Sequence, residues 1–512
     1  MTVRSKEAWW IVAVALVASG ALGIRLVTLG SEPFWLDEVC TRDFNAGTLV
    51  SVVTAYAKDV HPPLYGVLLR FWQSIAGDSE QALRGYSSLW SMVGLLFAVF
   101  LTRDVSESRL AALVSGLLMA VNPLDIWYAQ EARMYAQAAG LIAMASWVLC
   151  RWLQRKEPTR RRWHLATAYG LLATLLLYTH YVTTVVLASQ VLVVLTLFFV
   201  RRRWRDAIWL VGAASAAGVL FVPWVAFVHR FRDSVYSAGH VGWIPAPHLV
   251  DVLGYLNHEF FLGFGSAPPA VAGWFAVVVG AVLGVVVTAA ASAGPASEGQ
   301  PSRRTGDAVT FLLGLAIGPS LLAAAVSGLW HPIFFRPRFS LFCLIGTVVV
   351  LVVLLTRVRP PLRTLLAATV AALMAAGTAW QTMLPTKKGL RELAQLARTF
   401  GEPEFAILLP APHERLARYY LPQAMQQPSA ETLKARLRSG GQTNVWVCFE
   451  GGKIPPPGSP DGDLVAWLAT TGPYRLLGHA DDFAVYELHA RLPRPDQKTN
   501  LPGAATTVDG PD

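Results

Sequence analysis

The chain has 512 residues, of which 54% are hydrophobic and only 15% charged. With a mean hydropathy of +0.43, it carries more apolar surface than a soluble protein of this length can hide. Its formal net charge of +10 would suit a nucleic-acid binder, but the placement of the basic residues argues against that reading.

A membrane span needs about 20 mainly apolar residues, and roughly 11 stretches qualify: 9–27, 84–101, 109–121, 135–152, 164–179, 181–200, 207–228, 270–291, 308–328, 340–356 and 362–380. The first is too long for a removed leader and lacks a small-residue cleavage site, so an anchor is expected. Basic clusters stand in every second loop: Arg4 and Lys6, Arg103 and Arg109, Arg151 through Arg162, Arg201 through Arg205, Arg303 and Arg304, and Arg357 through Arg363. That alternation is the positive-inside pattern. It predicts a cytoplasmic N-terminus, an external loop from Ser31 to Tyr86 and, with an odd number of spans, an external segment after Trp380. The basicity is therefore topological, and nucleic acid is not expected as a partner.

The first external loop holds the densest polar group. In FWLDE, Asp37 and Glu38 follow three bulky apolar residues, which places the carboxylates at a protein or membrane interface. Burial there would favour a proton-accepting role. Adjacent side chains point apart, so the two acids are expected to differ in task. The bland alternative is a solvated juxtamembrane cap. His61-Pro62-Pro63 follows Asp59 and fixes the backbone direction. Leu64–Trp72 then has the spacing of an amphipathic helix lying along the interface.

The next external loop reads NPLDIWYAQEARMY. Glu131 and Tyr135 are four apart and would share a helix face, with Arg133 pointing elsewhere. An acid at the start of a span is costly unless it faces a cavity or a partner; a structural salt bridge is the alternative. His180 marks a further external turn and by itself suggests no more than a hydrogen-bonded cap. Near the last external turn, Arg336 and Arg338 flank Pro337. Proline biases Arg336 towards extended geometry, so the two guanidinium groups could face one way and form a fork suited to phosphate. Lipid headgroup contact is the plain alternative.

Carboxylates, a constrained loop and external arginines are together what transfer from a lipid-phosphate sugar requires. A carboxylate takes the proton of an acceptor hydroxyl and cations stabilise the departing phosphate.

At these residues the chain resembles the GT-C membrane glycosyltransferases. It is most similar to bacterial protein-mannosyltransferase-like members (glycosyltransferase family 39-like), which are related to the lipid A aminoarabinose transferase. The likeness rests on FWLDE at Phe34–Glu38, DVHPPLY at Asp59–Tyr65, SEQALRGYSSLW at Ser79–Trp90, NPLDIWYAQEARMYA at Asn122–Ala136 and FFRPRFSL at Phe334–Leu341. It covers essentially all of 1–380, and the ordered set is specific although each piece alone is weak. The resemblance implies a polytopic α-helical GT-C fold and an inverting transferase that uses a polyprenyl-phosphate-linked sugar. It places the catalytic base on Asp37, with Glu38 as its helper, and a second acidic position on Glu131, where the family often has Asp. Arg338, Arg336, Arg133 and Arg84 become candidates for the donor phosphate. His61, Asp59 and Tyr135 would shape the loop or touch substrate. Some relatives bind a divalent metal near the phosphate and others work without one. Asp37, His61 and Glu131 could supply ligands, but their spacing demands no metal.

Beyond residue 380 the character changes. Gly389–Phe400 has amphipathic helical spacing, and short apolar runs at Phe405–Leu409, Val445–Phe449 and Phe483–Leu488 suggest strands of a small α/β domain. The expected organisation is a catalytic membrane domain over 1–380, an extracytoplasmic α/β domain over 387–490, and a disordered tail over 491–512. Cys40, Cys150, Cys343 and Cys448 show no metal spacing, and a disulfide between Cys40 and Cys448 cannot be inferred. The expected location is the plasma membrane, with an acceptor glycan, lipid or protein and membrane lipids as partners. The main alternative is a transporter or flippase of lipid-linked sugars. Transporters concentrate polar groups near the midplane on broken, repeated helices, whereas here they stand at span ends without a visible repeat. A scaffold displaying the last domain would leave the first loop unexplained.

Overall fold

The computed structural model describes residues 3–59, 61–155, 162–231, 244, 247, 259–263, 269–292, 303–330, 332–383, 390–409, 414–426, 428, 430–438, 443–450, 459–480 and 483–490. The expected disordered tail and most of the 291–307 connector lie outside these residues. By internal packing the chain divides into two units: 1–30 with 44–386, and 31–43 with 387–512.

The first unit is helical. Its elements are α1 (Val3–Val27), then, after α2 (Leu36–Phe44) at the boundary, α3 (Leu49–Lys58), α4 (Leu64–Ala76), α5 (Glu80–Ser106), α6 (Arg109–Ala120), α7 (Pro123–Ala129), α8 (Tyr135–Leu153), α9 (Arg162–Thr179), α10 (Thr183–Val200) and α11 (Trp204–Val228). After these come α12 (Glu259–Leu262), α13 (Pro269–Ser292), α14 (Arg303–Leu329), α15 (Arg336–Thr356) and α16 (Pro360–Met383). Among the described residues eight helices are long and apolar enough to cross a membrane, or nine if α6 and α7, bent by 59° at their break, are counted as one span. The two remaining expected stretches coincide with α9 and α13. The chain is thus a multi-span membrane protein. Lipid supplies no hydrogen bonds, so helices that satisfy their own backbone are the required solution.

Asn122 breaks the bent span. Its side chain accepts from the Asp125 N–H at 2.9 Å, capping α7, and Pro123 stands in the first turn where its missing N–H costs nothing. Close by, Arg25 is fully buried. It donates to Ser91 Oγ at 2.7 Å and to the carbonyls of Ala21, Ala120 and Met119, and it pairs with Asp125. This network ties α1, α5, α6 and α7 together with a charge pair that no motif announced.

The second unit contains α2 and, in order, α17 (Arg391–Phe400), β1 (Phe405–Leu409), α18 (Glu414–Tyr420), β2 (Met425–Gln426), α19 (Ala430–Arg438), β3 (Thr443–Glu450), α20 (Pro460–Ala469), β4 (Tyr474–Ala480) and β5 (Phe483–Ala490). The five-stranded sheet runs β2-β1-β3-β5-β4, with β1 parallel to β2 and β3, and β5 antiparallel to β3 and β4. Phe405, Ile407, Val445, Val447, Phe449 and Leu488 bury one face against Leu433, Val465 and Leu468. The α/β expectation holds, with the three expected strands as β1, β3 and β5. Strand β4 was not foreseen: its exposed Leu476 and intervening Arg475 and Gly478 weaken the apolar alternation. Cys40 and Cys448 are not joined by a disulfide.

Candidate functional site

In the first unit, the turn before α4 carries Asp59 and His61. The two prolines after His61 lead into α4, with Pro63 as its N-cap. His61 Nδ1 stands 2.9 Å from the Asp59 carboxylate, and its Nε2 lies 3.3 Å from Arg133 Nη2. Since the guanidinium can only donate, Nε2 must accept and Nδ1–H must point to Asp59. Burial, with the Arg133 cation second, lowers the His61 pKa, against an opposing pull from Asp59. The ring is thereby held neutral.

Around this triad, His180 meets His61 edge to face at 5.5 Å and Tyr135 at 5.6 Å. The Arg338 guanidinium lies over the Tyr135 ring at 4.9 Å and over Phe335 at the same distance. Asp59, His61, Arg133, Tyr135 and Arg338 are thus drawn into one largely buried cationic and aromatic cluster, from three separate parts of the chain. His180 joins it, although its sequence setting pointed only to a cap. The signal that could have found it is its place at the end of a span, like the other members.

Two local expectations are corrected. Glu131 is not on a helix with Tyr135: α7 stops at Ala129 and α8 starts at Tyr135, with non-helical backbone between. There the Arg133 N–H donates to the Glu131 carbonyl at 2.8 Å. Glu131 is buried, but four-residue spacing does not relate it to Tyr135. The arginine fork is also undone. Arg336 and Arg338 both belong to the first turn of α15, where residues two apart point in nearly opposite directions. Arg336 pairs with the buried Glu259 of α12, leaving Arg338 with the aromatic cluster. Arg84 is buried on α5 and donates to the Leu29 carbonyl at 3.1 Å, a partner that helps close the end of α1.

In the second unit, Asp37 and Glu38 form the first turn of α2. They diverge as expected: Asp37 is partly exposed, whereas Glu38 is fully buried. Glu38 accepts from the Trp35 N–H at 3.5 Å, capping its own helix. The apolar neighbour Phe34 packs on Tyr419 at 5.3 Å, and its N–H donates to the Tyr420 hydroxyl at 2.9 Å. The interface at FWL is therefore with protein.

Among the described residues no three His, Cys, Asp or Glu side chains are arranged to hold a metal ion, and both nitrogens of His61 are already engaged.

Residues 60–227 match the family model for dolichyl-phosphate-mannose-protein mannosyltransferase. No curated protein matches the chain by sequence. Among solved structures, ArnT from Cupriavidus metallidurans in the apo state is similar with a TM-score of 0.62 at 15% identity, over 94% of this chain and 98% of that one. The same enzyme bound to undecaprenyl phosphate gives a TM-score of 0.62 at 14% identity, over 96% and 99%. The chain thus has the GT-C fold of these membrane enzymes over nearly its whole length, and a segment of it bears the sequence pattern of the mannosyltransferases.

Proposed function

We propose that this protein is an inverting glycosyltransferase that moves a sugar from a polyprenyl-phosphate donor to an acceptor hydroxyl on the extracytoplasmic face of the plasma membrane. The observation that carries the reading is the cluster of buried His61, Arg133 and Tyr135 with the half-buried Arg338, gathered at the ends of apolar helices. Cations in a water-poor site stabilise charge that develops on a leaving phosphate far better than they would in bulk water. Phosphate leaves readily, so no general acid is needed, and single displacement inverts the anomeric carbon. The spans would hold the prenyl tail at the depth of the chemistry. Arg336, committed to Glu259, becomes a positioning residue, and Arg84 supports the end of α1.

Asp37 is proposed as the base. It is the acid of FWLDE that keeps access to solvent, while Glu38 is consumed in holding α2. The positive-inside pattern supports a cytoplasmic N-terminus and an external second unit. Asp37→Asn should lower transfer from labelled polyprenyl-phosphate sugar by about 10²–10⁴-fold, the usual contribution of a general base, with expression unchanged. Full transfer by that variant rules out the base. Movement of lipid-linked sugar across vesicles without a glycosylated product would instead establish the transporter.

A further inference from the structure

His180 stands in the turn between α9 and α10 and is 4% exposed. Its Nδ1 accepts the backbone N–H of Val182 at 3.0 Å. A backbone amide can only donate, so Nδ1 carries no proton and the neutral ring must carry it on Nε2. That second nitrogen is buried and has no hydrogen-bond partner among the described residues. An unmet N–H in such a place costs about 1–3 kcal/mol, and half of this ring is already explained by the cap. The other half faces a definite environment. His61 and Tyr135 flank the ring at 5.5 and 5.6 Å, Phe342 lies beyond at 6.5 Å, and Arg133 and Arg338 reach the same ring electrostatically. Burial above all, then His61 and those two cations, push the His180 pKa well below 6.5. The ring is thus a neutral donor kept among cations. Its surroundings suit an anion rather than another positive group.

We propose that His180 is a donor-binding residue whose Nε2–H hydrogen-bonds the phosphate of the lipid-linked sugar alongside Arg133 and Arg338. This inference rests on the transferase reading above. A neutral N–H adds one more directed bond beside the guanidinium donors: Arg338 is held over the Tyr135 and Phe335 faces, and the capped imidazole can aim a bond of its own from a fixed ring. The same chemistry would accept a free phosphate, so the headgroup and the tail must be tested separately.

The cap and the donor can be separated by substitution. His180→Asn places an amide oxygen where Nδ1 accepts from Val182 and removes the distal N–H. His180→Gln reaches the distal position with an N–H and gives up the cap. Binding of undecaprenyl phosphate to the purified full chain is measured, with inorganic phosphate as competitor and thermal unfolding as the control for structure. His180→Asn should unfold with the wild type yet bind undecaprenyl phosphate about tenfold more weakly, the loss of one hydrogen bond to a charged group. His180→Gln should recover most of that affinity despite a lower unfolding temperature. Wild-type affinity in His180→Asn, or equal losses in both variants, overturns the assignment and leaves His180 a structural cap. Competition by inorganic phosphate at equal concentration would make the site a free-phosphate site and overturn the lipid-linked form of the proposal. No binding of undecaprenyl phosphate by the wild type itself would instead overturn the transferase reading on which the assignment stands.

Discussion

Arg25 shows what one residue can decide in this fold. A buried ion pair is weak grounds for stability when weighed against an apolar pair, but removing a single partner strands the other charge, at a cost of about 3–5 kcal/mol. Every direction around the Arg25 guanidinium is occupied, by Ser91, Asp125 and three carbonyls, and Ser91 itself donates to Asp125 at 2.6 Å. Arg25→Met should therefore lower thermal stability in detergent by that margin, and adding Asp125→Asn should restore a large part of it. If the double variant were as unstable as the single one, the cost would lie in lost packing of α1 and not in the stranded carboxylate. Neither residue was singled out from sequence. Arg25 follows an apolar run, so it looks like an interfacial basic residue, and Asp125 looks like one more external acid. Their pairing crosses a hundred positions, and no periodicity reports that. The charged residues of the loops between spans were more legible, because acids and arginines at span ends are expensive and stand out, but legibility stopped at identity. Arg336 and Arg338 stand two apart in sequence yet point to different partners, since local helix geometry overrode the extended bias before proline.

At the scale of elements, the apolar runs of the sequence and the helices of the first unit coincide closely, since a span must be continuous and its length is set by the bilayer. The breaks between runs were less readable. NPLDIWYAQEARMY has helical spacing from end to end, but the Asn122 cap starts a separate short helix and residues 130–134 leave it again. What holds adjacent spans at close range is also invisible from hydropathy. Gly346 of α15 faces α14 so tightly that a Cβ there would lie 2.8 Å from both the Ala316 nitrogen and the Leu312 carbonyl. These are backbone atoms and cannot swing aside. Gly212 of α11, by contrast, has nothing within 4 Å of an added Cβ. Gly346→Ala should destabilise by about 1–3 kcal/mol through overpacking, whereas Gly212→Ala should be neutral or gain up to about 1 kcal/mol from helix propensity. Thermal unfolding of the two variants in one detergent compares them directly, and equal shifts would show that α14 and α15 can part without cost.

The whole molecule divides its polar chemistry between its two units. The first holds the His61, Arg133, Tyr135 and Arg338 cluster. The second holds Asp37, because α2 is built into it: Arg391 Nη1 and Nη2 donate to the carbonyls of Ser31 and Glu32 at 3.2 and 2.6 Å, Tyr420 accepts from Phe34, and the Arg42 guanidinium lies 4.9 Å over the Tyr419 ring. Sequence order alone attaches residues 31–43 to the first span, since a partner some 360 positions away leaves no local trace. The division makes the two halves of the proposed reaction separable. Loosening α2 with Arg391→Ala and Tyr420→Phe removes three of the bonds that set the Asp37 turn, none of which involves the phosphate cluster. Each such bond is worth about 1 kcal/mol net, so the proposed base would spend less time in its working position. Transfer should fall at least tenfold while the affinity for undecaprenyl phosphate stays unchanged. A parallel loss of affinity would show that α2 also supports donor binding. Unchanged transfer would show that Asp37 needs no anchoring by the second unit, and would move the search for the base to Glu131, a buried acid of the first unit.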